Sequence, residues 1–207
     1  MQLSYYRFIL FLFLTIPATT QGRPEEKCIF YFPIRTTTVP MTYKLFENRI
    51  IGRYGDIRKS HLAGHRHAGI DVCGNYNEWM FAIGPGTVVA VFREFPDKTV
   101  YIRHVIEKST VVYSVYIHLE DIAVAVGDYV TKDTPVGRLF NKQELVLSDF
   151  GVRPHLHLEI RHDLSDRGKA TFTGMAIDEL NRYCYDPLPF FYRHTLITAE
   201  GEMYEQY

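Results

Sequence analysis

The sequence predicts a mainly β, antiparallel domain, and three observations predict it. Thr87–Arg93, Thr99–Ile106 and Thr110–Ile117 are dense in Val, Ile, Tyr and Thr, residues that suit a pleated, half-buried surface. Pro96-Asp97-Lys98 and Glu107-Lys108-Ser109 separate them, short polar breaks of the kind that close hairpins. Further on, His155-Leu156-His157-Leu158-Glu159-Ile160 alternates polar and apolar residues with the period of a strand, after a tight turn at Gly127-Asp128. Evenly spaced short strands joined by tight turns favour an antiparallel sheet with one face on the core.

Taken in order, residues 1–22 read as an export signal. Arg7 precedes the apolar run Phe8–Ile16, which ends at Pro17 and the small residues Ala18, Thr19 and Thr20, with removal expected near Thr20–Gly22. That run is shorter than the about 20 apolar residues that span a bilayer. No later run is long enough either, so the mature chain is expected without a transmembrane span, in the periplasm or outside the cell. Residues 23–52 form a leader. Its aromatic stretch Cys28–Ile34, with Pro33 and later Pro40, suggests edge strands or a crossing over the domain surface. Residues 53–192 hold the main domain, and Gly174–Tyr183 near its end reads as one short helix. The tail, 193–207, follows the aromatics Phe190, Phe191 and Tyr192 and frays into polar residues.

Three cysteines fit an oxidising compartment, with one disulfide possible. Cys28 and Cys184 lie near the two ends of the domain, where chain termini often meet, and are the expected pair. Cys73 is left as a buried free thiol. A formal net charge of −1 with no basic stripe gives no support for nucleic-acid binding or an electrostatic membrane patch.

The polar face of the His155–Ile160 strand carries the chemistry. His155, His157 and Glu159 point one way and Leu156, Leu158 and Ile160 the other. A core has no use for two imidazoles and a carboxylate on one face; a metal site does, since a carboxylate can hold the second nitrogen of a ligating imidazole. Upstream, Gly64 and Gly69 argue against a helix around His67-Ala68-Gly69-Ile70-Asp71. In an extended segment His67, Gly69 and Asp71 share a face. His67, Asp71 and one histidine of the later pair make the open zinc set, in which three protein ligands leave one position for water.

His67-x-x-x-Asp71, Tyr116-Ile117-His118-Leu119 and His155–Ile160 occur in the order found in the M23 zinc metallopeptidases, the lysostaphin-type and LytM-type peptidoglycan endopeptidases, and the chain resembles that family. The spacers match as well: Gly84–Ala90, Val126–Val130 with Pro135-Val136-Gly137, and Asp186-Pro187-Leu188, so the likeness runs from about Arg53 to Phe191. The resemblance implies a compact, sandwich-like antiparallel β domain with a groove across one sheet. It implies one zinc ion on His67, Asp71 and His157, with His118 and His155 as catalytic histidines. Glu159 becomes an orienter behind the ligands. Tyr116 lines the groove or sits in the core. No H-E-x-x-H supplies a helical glutamate base, so the two histidines take that part.

The implied activity is hydrolysis of peptide bonds in peptidoglycan, in stem-peptide cross-links or glycine-rich bridges. Two other readings use the same residues. One is a zinc-retaining binding or signalling protein on this fold, which loss of His118 or His155 would favour. The other is a zinc peptidase acting on proteins. That reading is permitted by Asn141–Val152, which replaces the family's glycine-rich run and bears on substrate preference, not on metal binding.

Overall fold

The computed structural model describes residues 28–35, 41–58, 66–107, 109–149, 151, 153–164, 171–172 and 176–195. In chain order the elements are α1 (Tyr43–Glu47), β1 (Ile50–Gly52), β2 (Arg66–His67), β3 (Ile70–Cys73), β4 (Trp79–Phe81), β5 (Gly86–Phe92), β6 (Thr99–Glu107) and β7 (Thr110–Ile117). They continue with β8 (Leu119–Glu120), β9 (Tyr129–Val130), β10 (Pro135–Leu139), α2 (Lys142–Ser148), β11 (His155–Arg161), β12 (Thr171–Phe172), α3 (Ile177–Leu180), β13 (Cys184–Tyr185) and α4 (Pro187–His194). The main sheet has the order β1-β3-β11-β7-β6-β5-β9, with β13 also paired to β11. Every pairing in it is antiparallel. The strands β4-β10-β8 make a smaller sheet, and β2 pairs with β12. The two sequence breaks are the β5–β6 and β6–β7 turns, as expected.

Alternation decides which face enters the main core and which carries the site. On β11, Leu156, Leu158 and Ile160 enter the main core with Ile70 and Val72 of β3, Val100 and Ile102 of β6, and Val112 and Tyr116 of β7. Each such side chain contributes roughly 1.5–3 kcal/mol by leaving water. The opposite face of the same strands carries the polar residues of the site beside a smaller cluster of Tyr101, Val115 and Ile117.

Three expectations change. The leader does not cross the surface: Phe30, Phe32, Ile34, Met41 and Phe46 are buried in the main core. Their rings meet α4, with Phe30 4.8 Å from Phe190 and Phe46 5.3 Å from Phe191. The backbone around Pro33 hydrogen-bonds to the chain in and just after β4, Tyr31 N–H to the Ile83 carbonyl and Phe81 N–H to the Pro33 carbonyl. Second, one helix was expected near the C-terminus. The described residues hold four short ones, and the start of the expected tail is the end of α4. That helix is capped by the Asp186 side chain on Leu188 N–H, with Pro187 pre-set for its first turn. Third, Cys28, Cys73 and Cys184 are all free thiols, so the Cys28–Cys184 disulfide is not formed. Cys28 belongs to the main core, whereas Cys184 packs in a separate cluster with Ala68 and Leu180. Cys73 is half-buried rather than buried. Residues 1–22, His61, His65 and most of the tail lie outside the described residues. Within the described residues no helix is long and apolar enough to cross a membrane.

Candidate metal centre

Strand register brings the centre together. In the β3–β11 pair, Asp71 stands directly opposite His157, and Cys73 opposite His155. His67 arrives from β2 by way of Ala68 and Gly69. A Cβ at Gly69 would lie 2.2 Å from the Leu158 carbonyl oxygen, so only glycine lets this bend press against β11. The segment is therefore broken rather than extended throughout, yet His67 and Asp71 still converge. Among the described residues, His67, Asp71 and His157 form the one group of metal-ligating side chains within reach of one another, and all three are buried.

Hydrogen bonds fix which atoms face inward. His67 Nδ1 lies 2.9 Å from the Arg53 carbonyl oxygen, which can only accept, so Nδ1 donates and Nε2 keeps its lone pair. His157 Nε2 lies 3.0 Å from Glu159 Oε1, leaving Nδ1 turned to the centre. Arg58 pairs with Asp71 Oδ2, leaving Oδ1. The three inward atoms are 2.8 Å (His67 Nε2 to His157 Nδ1), 2.9 Å (His67 Nε2 to Asp71 Oδ1) and 3.1 Å (His157 Nδ1 to Asp71 Oδ1) apart. Ligands of a tetrahedral zinc at bond lengths near 2.0–2.1 Å are about 3.3 Å apart, close to this spacing. Acceptors meeting this closely repel unless a cation lies among them, and two imidazoles with one carboxylate are the donor set zinc takes. The residues present fit the ion.

The charges behave accordingly. Burial alone would raise the Asp71 carboxyl, but the His157 and His67 imidazoles against it hold it far below the usual carboxylate range. Burial lowers His67, against the pull of Asp71. Burial would also lower His157, yet its bonds to Asp71 and Glu159 raise it to about 9, so a proton and a metal ion compete for one nitrogen. Behind it, Glu159 is 0% and Arg161 1% exposed, with Arg161 Nε 2.5 Å from Glu159 Oε2. Burial would raise Glu159, and Arg161 lowers it.

Two more imidazoles border the centre. His118, at the end of β7, has φ +65°, a left-handed conformation that costs a non-glycine residue energy and recurs at functional sites. Its ring centre is 5.2 Å from His155 and 6.1 Å from His157. Burial and the neighbouring imidazoles of His155 and His157 hold it well below the ordinary histidine range, hence neutral. His155 is half-buried, and its Nδ1 donates to the Arg153 carbonyl at 3.0 Å, leaving Nε2 as a lone pair.

Tyr116 is the groove candidate that moves away. It is wholly buried in the main core on the other face of β7, its hydroxyl accepting from Ile83 N–H at 2.8 Å. Arg53, Arg58 and Arg161 were not anticipated. Arg161 had a signal, because it is the next residue on the face already holding His155, His157 and Glu159. Arg53 and Arg58 lie before β2, and nothing local in the sequence marks them.

This fold and this cluster belong to a class of hydrolytic enzymes, the metallopeptidases. The family model for Peptidase family M23 matches residues 65–171, more than half of the chain. The chain belongs to peptidase family M23. Among solved structures, it is similar to the catalytic domain of lysostaphin from Staphylococcus simulans at 21% identity and a TM-score of 0.50, covering 73% of this chain and 98% of that one. Full lysostaphin from the same organism aligns at 21% identity and 0.51, over 77% of this chain and 56% of that one. A zinc-containing peptidase from Vibrio cholerae aligns at 22% identity and 0.47, over 65% of this chain, which spans only 37% of that protein. No curated protein matches the chain.

Proposed function

We propose that this peptidase is an exported zinc metalloendopeptidase that hydrolyses peptide bonds in peptidoglycan. The observation that carries the reading is the convergence of His67 Nε2, Asp71 Oδ1 and His157 Nδ1 on one point, with two further imidazoles beside it. Those three atoms would hold the ion. The chemistry zinc supplies when bound is Lewis acidity, which polarises a carbonyl and lowers the pKa of water to about 7.

The chain's own residues do the rest. His155, with Nδ1–H committed to Arg153, offers Nε2 as a proton acceptor for the attacking water. His118, neutral and rigidly placed, faces the oxygen on which charge develops and donates to it. Glu159 and Arg161 keep the His157 ring in the orientation and tautomer that present Nδ1. Export is supported by the apolar run Phe8–Ile16 and the break at Pro17. The peptidoglycan target is supported by the lysostaphin-like fold, lysostaphin being described as an antimicrobial peptidase.

The test is incubation of the protein with purified sacculi, the products read by mass spectrometry, with a chelator, zinc add-back and His118→Ala. New peptide termini that depend on zinc and fall at least 100-fold in His118→Ala are expected, the scale on which general acid–base groups act being about 10²–10⁴. Stoichiometric zinc without any new termini would overturn the proposal.

A further inference from the structure

Asp71 has unequal neighbours on its two flanks. In the main sheet β3 lies between β11 and β1. Across from Asp71 stand His157 on β11 and Gly52 on β1. Residues directly opposite share a face, so the carboxylate has an imidazole on one flank and no side chain on the other. A Cβ at Gly52 would lie 2.5 Å from Arg58 Nη2 and closer still to Asp71 Oδ2. The Arg58 guanidinium fills that slot and pairs with Oδ2, while Oδ1 faces His67 Nε2 and His157 Nδ1.

The segment that delivers Arg58 also holds His67. The Arg53 carbonyl accepts from His67 Nδ1–H, His67 N–H donates to the Asp56 carbonyl, and Gly55 N–H donates to the His67 carbonyl. The Asp56 carboxylate accepts in turn from Arg53 N–H. One stretch, 52–58, therefore sets two of the three inward-facing atoms. A carboxylate with both oxygens open can chelate, which suits larger, oxygen-seeking ions such as manganese and calcium. With a guanidinium on one oxygen it offers only the other, which beside two imidazoles suits zinc.

We propose that Arg58 is a positioning residue which, seated in the slot left by Gly52, restricts Asp71 to one metal-facing oxygen and so sets the preference of the centre for zinc over manganese. The inference rests on His67, Asp71 and His157 forming a cation site, as the proposed function requires, and not on cleavage of any substrate. Gly52 shares the role, because any side chain there displaces the guanidinium from the carboxylate.

The test reads metal binding without substrate. The full chain is stripped of metal, and the dissociation constants for zinc and for manganese are measured by competition with a chromophoric chelator. In Arg58→Met, zinc is expected to bind about ten-fold more weakly, the lower end of the loss seen when a ligand's partner is removed. Manganese, which gains the second oxygen, changes by about two-fold or less, so the ratio of the two constants falls about ten-fold. Arg58→Lys keeps a cation on Oδ2 and retains most of the ratio. Gly52→Ala, which fills the slot, lowers the ratio as Arg58→Met does. A general loosening of the site weakens both ions alike; a ratio that Arg58→Met leaves within about two-fold of the wild type overturns the inference alone. A wild type that binds no zinc contradicts the three-ligand site itself, and the inference falls with it.

Discussion

Behind His157 stands a buried ion pair whose value lies in orientation. Glu159 holds the His157 ring by Nε2, and Arg161 compensates the Glu159 charge, with both side chains out of contact with water. Buried pairs of this kind contribute little net stability, but losing one partner leaves the other charge uncompensated. Arg161→Met is therefore expected to cost about 3–5 kcal/mol in urea unfolding, the range for a broken buried pair. Glu159→Gln is expected to weaken zinc binding by about 10–100-fold, as loss of a ligand's hydrogen-bond partner does elsewhere. Competition with a chromophoric chelator measures it, and an unchanged affinity would contradict the role. At this scale the sequence was most legible. The period-two face of β11 displayed His155, His157 and Glu159 together, and Arg161 continues that face. Arg58 was not legible, because its contact with Asp71 depends on how the chain folds back before β2.

Among the elements, the long strands were readable because both their composition and their breaks point the same way. The short helices were harder, since so few residues show no apolar period. Their signals lie in the caps. At α2, the Asn141 side chain accepts from Gln143 and Glu144 N–H, and the Glu144 carboxylate returns to Asn141 N–H. This N-x-x-E capping box was present in the sequence, within the segment that replaces the family's glycine-rich run. Asn141→Ala is expected to lower stability by about 1 kcal/mol. Faster hydrogen exchange confined to Lys142–Ser148 would report it; unchanged exchange there would show that the cap does not hold the helix. The leader was misjudged for a different reason. Phe30, Phe32 and Ile34 alternate as an inward face does, but the partners that cover them, Phe46, Phe190 and Phe191, are distant in sequence.

For the molecule as a whole, acid sensitivity has an identifiable source away from the metal centre. His104 is 0% exposed, its Nδ1 donating to the Pro85 carbonyl and its Nε2 accepting from the Ser114 hydroxyl. Burial pushes it down to about 4 from an ordinary 6.5, against the pull of the Pro85 carbonyl. Between those values the unfolded chain binds the extra proton and the folded chain does not, so stability is full above about pH 6.5 and falls as the pH drops toward 4. Linkage puts the loss at about 3 kcal/mol. The stability gap between wild type and His104→Gln in urea is expected to narrow by about that much from pH 7 to pH 4. A constant gap would contradict it.

The whole account depends on His67, Asp71 and His157 forming one cation site, and zinc titration of the wild type beside Asp71→Asn and His157→Ala tests that most directly. One zinc per chain is expected, bound at least 100-fold more weakly in either variant and stabilising the wild type by mass action by about 2.7 kcal/mol at 100 times the dissociation constant, which is read as a higher melting temperature. No zinc in the wild type, or zinc that both variants keep unchanged, would contradict the assignment on which the site and the reaction are built.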